Sequence, residues 1–99
     1  MIQKLETEFI GTGEVKGFNF TQIERCAVGF IYEVENECKK HYEVFEHRKT
    51  PVCIDFEKRL YSEIDFKERY PKSNDFGAWA WTFNTLDKAT KRFDMLKFN

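Results

Sequence analysis

The sequence predicts an α+β domain: an antiparallel β-sheet of about five strands with one C-terminal α-helix packed on one face. Three observations carry that prediction. Apolar residues recur with a period close to two from Val15 to Phe66, which is the signature of half-buried strands. A single stripe at 3.6-residue spacing, Leu86, Ala89, Phe93 and Leu96, closes the chain. The strands come first and the helix last, an order that argues for α+β rather than alternating α/β.

The first ten residues fit two readings. Ile2, Leu5, Phe9 and Ile10 suit a short helix by spacing, but the segment ends at Gly11-Thr12-Gly13 and suits an edge strand equally. From Gly17 to Arg25, Phe18 and Phe20 share one face and Asn19 and Thr21 the other. Residues 27–35 alternate cleanly, with Val28, Phe30, Tyr32 and Val34 pointing one way. Asn36-Glu37-Cys38-Lys39 reads as the turn of a β-hairpin whose second strand is His41 to Lys49. Pro51 marks a break and a strand start, because proline cannot donate to an inner ladder. Val52, Ile54 and Phe56 alternate beyond it, then Leu60, Ser62, Ile64 and Phe66 after the polar Glu57-Lys58-Arg59. Tyr70-Pro71-Lys72-Ser73-Asn74-Asp75 has the chemistry of a surface loop, and Gly77 allows a bend before a last strand, residues 78–83.

That last strand is expected to place Trp79, Trp81 and Phe83 on one face and the small Ala78, Ala80 and Thr82 on the other. The aromatic face is the nearest apolar partner for the helix stripe. Asn84 is expected to cap the helix, with Asp87 at the third position of a weak capping box.

Ninety-nine residues make one domain over 1–99. Eleven Phe, four Tyr and two Trp outnumber Leu, Ile and Val together, so aromatic rings are expected to fill the core. The 16 basic and 17 acidic groups are balanced and interleaved, so no strong field advertises a polyanion partner. Three widely spaced cysteines, Cys26, Cys38 and Cys53, read as free thiols of a reducing cytoplasm. Cys26 and Cys53 have the look of core or strand residues and Cys38 of an exposed turn residue. Two histidines cannot complete a standard zinc pattern, and no cofactor or metal site is expected. Polar residues interrupt the N-terminus early, so neither a signal peptide nor a membrane span is expected.

Four constellations could carry function. Lys88, Lys91 and Arg92 form a basic helix face suited to phosphates, although Asp87 and Asp94 flank it. Tyr70, Lys72 and Asn74 place aromatic, basic and amide groups on a surface loop, where binding residues concentrate. Asp65-Phe66-Lys67, with Asp55 upstream, matches the (D/E)-x-K fragment of one nuclease superfamily, but the helices flanking that fragment are missing from the element order. His41 and His47 fall about 20 Å apart on one strand face at ~3.4 Å per residue, too far to share a metal.

Two resemblances follow from these residues. Residues 81–89 with Phe93-Asp94 are similar to the last strand and helix of AP2-type DNA-binding domains and to the end of WGR domains. The Arg- and Trp-bearing sheet that AP2 domains lay on DNA has no counterpart here. His41 to Glu46 together with Tyr70 to Trp81 resembles short uncharacterised proteins of gut Bacteroidetes and their phages or mobile elements. That resemblance implies a microbial cytosolic setting and no particular activity. The expectation is a small non-enzymatic binding module, with no catalytic residues, whose partner is a protein or its own copy. Nucleic-acid binding through the helix face and the 70–77 loop is the alternative.

Overall fold

A computed structural model describes residues 2–37 and 39–98, so the expected exposure of Cys38 lies outside the described residues. The chain is α+β, and its described residues form eight strands in two sheets and one C-terminal α-helix. The strands are β1 (Ile2–Gln3), β2 (Glu8–Ile10), β3 (Asn19–Arg25), β4 (Gly29–Glu35), β5 (Lys40–Glu46), β6 (Lys49–Asp55), β7 (Leu60–Glu68) and β8 (Ala80–Phe83). The helix, α1, is Leu86–Lys97. Of the ambiguous N-terminal segment, residues 2–3 and 8–10 are thus strand, and none of its described residues is helical.

The main sheet has the order β2-β3-β4-β5-β8 and is antiparallel throughout. Its alternation sorts side chains to two faces. Phe30, Tyr32, Val34 and Phe45 join Phe20, Trp79 and Ala80 in one buried cluster. Ile31 and Val44 point the other way and meet Ala89 and Phe93 of α1. Gly29 lets the helix approach, because a Cβ there would sit 2.7 Å from the Phe45 carbonyl oxygen and 2.9 Å from Leu96 Cδ1. At ~1.5 Å per residue α1 is only about 18 Å long. It packs on β4, β5 and β8 and leaves the second sheet uncovered.

Two expectations about the C-terminal strand are corrected. Trp79 precedes β8, in a turn where Gly77 takes a φ of +95°, so the period-two count does not reach it. It enters the Phe45 cluster with Ala80, while Phe83 faces the helix. Arg48 and Arg69 lie over its ring at 5.0 and 5.4 Å. The small-residue face is also no open surface at Ala80, which is fully buried. The helix cap moves by one residue as well: Thr85 is the N-cap, its Oγ1 accepting from the Lys88 N–H at 3.3 Å. Thr85 has the extended backbone a cap requires, with φ −128° and ψ 151°.

The second sheet, β1-β7-β6, adds a parallel β1–β7 pair to the antiparallel β6–β7 hairpin. Pro51 lies inside β6, two residues beyond its start, and is tolerated because β6 is an edge strand. One ionic cluster ties the two sheets. The Glu68 carboxylate at the end of β7 has a side chain only 2% exposed, and receives Arg25 Nη1 at 3.0 Å and Nη2 at 2.6 Å. The Leu5 N–H at 2.9 Å and His47 Nε2 at 2.7 Å complete its shell. Burial alone would raise its pKa. The hydrogen bonds from Arg25, Leu5 and His47 outweigh that and hold it at about 2. Arg25 in turn covers the Phe30 ring at 4.9 Å.

Candidate functional site

The segment after β7 does not stand off as a free loop. It folds back over the sheet face opposite α1. A short 3₁₀ turn, Ser73–Asp75, shapes it, and Asp75 Oδ2 accepts from the Lys72 N–H at 2.8 Å while its carbonyl accepts from the Ala78 and Trp79 N–H groups. The Lys72 hydrogen bond holds the Asp75 carboxyl below the usual carboxylate range. Gly77 N–H then bonds the Ala80 carbonyl at 2.7 Å and returns the chain to β8.

Tyr70 anchors this segment. Its ring meets Phe45, Tyr32, Phe20 and Phe9 edge-on with centroids at 4.7, 5.2, 5.4 and 5.6 Å. Edge-to-face packing puts the positive ring rim against a negative ring face, so each contact adds about 0.5–1.5 kcal/mol beyond area burial. The Tyr70 hydroxyl donates to Glu43 Oε1 at 2.5 Å. Burial, then the Glu43 charge and hydrogen bond, push its pKa far up, so Tyr70 stays a donor. His41 Nε2 lies 3.1 Å from the other Glu43 oxygen. His41, Glu43 and Phe45 alternate on β5, which turns all three toward the segment.

Between the sheet and the segment lies a cleft of about 960 Å³. Phe9, Phe18, Phe20, Val34 and Phe76 form its apolar walls, and Glu43, His41, Lys72, Asn74 and Thr82 its polar ones. Three of the residues expected to bind, Tyr70, Lys72 and Asn74, therefore line one cavity. The other three do not. Lys88, Lys91 and Arg92 sit on α1, across the sheet. Arg92 is not a free basic group but stacks on Trp81 at 3.8 Å. The basic helix face and the loop do not form one surface.

No family model, curated protein or solved structure matches this chain. Among the described residues no group of three His, Cys, Asp or Glu side chains could hold a metal ion. His47 is engaged with Glu68 and His41 with Glu43. Asp55 accepts from the Glu57 and Lys58 N–H groups at 3.0 and 3.2 Å, capping the β6–β7 turn. It sits opposite Leu60, whereas Asp65 adjoins the Pro51–Phe66 pair, so the hairpin spreads the nuclease-like acids apart. Cys26 and Cys53 are free; Cys26 packs beside the helix cluster, and Cys53, expected in core or strand, lies in strand but is exposed rather than core. Among the described residues no helix is long and apolar enough to cross a membrane.

The β6–β7 hairpin is a second candidate surface, and one the alternation pattern disguised. Ile54, Phe56 and Ile64 are 68, 86 and 75% exposed, and Leu60 and Tyr61 are about half exposed. Ser62 accounts for Ile64. Its Oγ accepts from the Ile64 and Asp65 N–H groups at 3.2 and 2.8 Å, within a bulge that breaks the β6–β7 register. At the tip, Arg59 takes a φ of 53°, a conformation costing a non-glycine residue roughly 1 kcal/mol. The sequence signal was present: one helix of four apolar stripe positions cannot cover every alternating strand that precedes it.

Proposed function

We propose that this chain is a small non-enzymatic binding module that docks protein through its β6–β7 hairpin, with a second copy of itself as the partner. The observation that carries the reading is the group of five large apolar side chains held out on that one hairpin. Together they present on the order of 600 Å² of side-chain surface, given about 150–250 Å² per aromatic. Exposed apolar area on this scale, gathered on one hairpin, is of the kind that marks interaction surfaces. A two-fold pairing of hairpins would bury up to about 600 Å² of it on each partner, about 1,200 Å² in total, at the low end of a standard interface.

Charge supports a like partner. The hairpin interleaves Lys49, Lys58, Arg59 and Lys67 with Asp55, Glu57, Glu63 and Asp65, so two copies meet without a net repulsion. The open edge of β6 offers backbone groups for pairing, and Pro51 confines that pairing to one end. The free thiols of Cys26 and Cys53 suit a reducing cytoplasm. Nucleic-acid binding is the less favoured reading, since Arg92 is stacked on Trp81 and the loop residues lie on the other side of the sheet. Light-scattering mass measured against concentration tests the proposal. A mass rising toward twice 11.9 kDa supports it, and a mass that stays at one chain throughout overturns it.

A further inference from the structure

The geometry points to a second, independent site: the aromatic cleft beside Tyr70 binds a small organic cation, an ammonium or guanidinium head on an apolar body. Its volume of about 960 Å³ lies near the upper end of the ~300–1,000 Å³ typical of small-molecule sites. The walls and the charge select the ligand class. Phe9, Phe18, Phe20 and Phe76 give an aromatic lining. Aromatic rings attract cations where a ring face is open. One face of Phe9 and of Phe20 is not, the two being stacked at 4.6 Å. Glu43 supplies the counter-charge from the middle strands of the sheet, with its side chain 13% exposed.

Glu43 is fixed in place. Tyr70 holds one carboxylate oxygen at 2.5 Å and His41 adjoins the other at 3.1 Å, so both oxygens are oriented before any ligand arrives. A carboxylate has about four lone-pair sites, and these two contacts leave acceptor capacity for an N–H of the ligand. A neutral apolar ligand would desolvate that charge without replacing its water, and an anion would be repelled by it. Lys72 stands exposed at the rim, where its flexible chain can move aside. None of this uses the β6–β7 hairpin, so the cleft stands whether or not the chain self-associates.

The test is an amide NMR titration of the whole chain with three matched probes: phenethylamine, the neutral 2-phenylethanol and the anionic phenylacetate. Phenethylamine is expected to shift the amides of Asn74, Phe76 and Thr82 saturably, at least about tenfold more tightly than either other probe. Two variants bracket the charge. Glu43→Gln keeps an acceptor for Tyr70 and is expected to weaken phenethylamine at least about tenfold. Thr82→Lys places a cation directly across the ladder from Glu43, at an exposed position that tolerates it, and is expected to abolish binding. Equal binding of the three probes, no saturable shift with phenethylamine at millimolar concentration, or unchanged affinity in a folded Thr82→Lys variant would each overturn the assignment.

Discussion

Replacing Glu68 by Gln removes one charge while keeping the shape of the side chain that joins the two sheets. The magnitude follows from the ionisation of the carboxyl. Its pKa is held at about 2 against an ordinary 4.5, and at ~1.36 kcal/mol per unit this preference for the folded state is worth about 3 kcal/mol. The loss of the charge leaves Arg25, whose side chain is still one-third exposed, to be partly re-solvated, which keeps the cost at the lower end of the ~3–5 kcal/mol for breaking a buried pair. The sign sets the pH window. A depressed folded-state pKa stabilises fully above about pH 4.5 and loses that stabilisation as pH falls toward about 2. Urea unfolding of wild type and Glu68→Gln at pH 7, 5, 4 and 3 is the assay. The expected result is a gap of about 3 kcal/mol at pH 7 that narrows steadily below pH 5. A gap under about 1 kcal/mol at pH 7, or one that persists unchanged at pH 3, would refute the reasoning.

Other consequences follow from the same contacts. Thr85→Ala should cost about 1 kcal/mol in chemical denaturation and Asn84→Ala only a few tenths, because Thr85 carries the cap bond; equal costs would place the cap wrongly. Gly29→Ala should destabilise by about 1–3 kcal/mol and loosen α1 from β5, read as faster amide exchange in the helix, since the added Cβ meets backbone at 2.7 Å.

Much of the fold was legible because its signals are local. Phe30, Tyr32 and Val34 alternate with Ile31, and the sheet buries both sets on opposite faces. The stripe of Ala89 and Phe93 names the buried side of α1 without help from the rest of the chain. What stayed hidden depends on distant partners or on irregular backbone. The division into two sheets is fastened by Arg25 and Glu68, 43 residues apart, and no periodicity encodes that pair. The loop chemistry around Tyr70 is visible in the sequence, but its contact with Glu43, 27 residues away, is not, and the cleft depends on that contact. The period-two count puts Trp79 on the helix-facing side, whereas a turn at Gly77 resets the count just before β8. The strands of the β6–β7 hairpin are legible in the sequence, but their exposure is not. Val52, Ile54 and Phe56 alternate like core residues, and only the reach of a 12-residue helix shows that nothing covers Ile54 and Phe56.

The central claim, that the β6–β7 hairpin is the docking surface, is tested most directly by light-scattering mass for wild type and Phe56→Asp/Ile64→Asp side by side. Both substituted residues are mostly exposed, so the variant should fold with unchanged stability. The account predicts that wild type reaches twice the 11.9 kDa chain mass at high micromolar concentration while the variant stays at one chain. Equal masses for the two proteins, whether both single or both double, would contradict it.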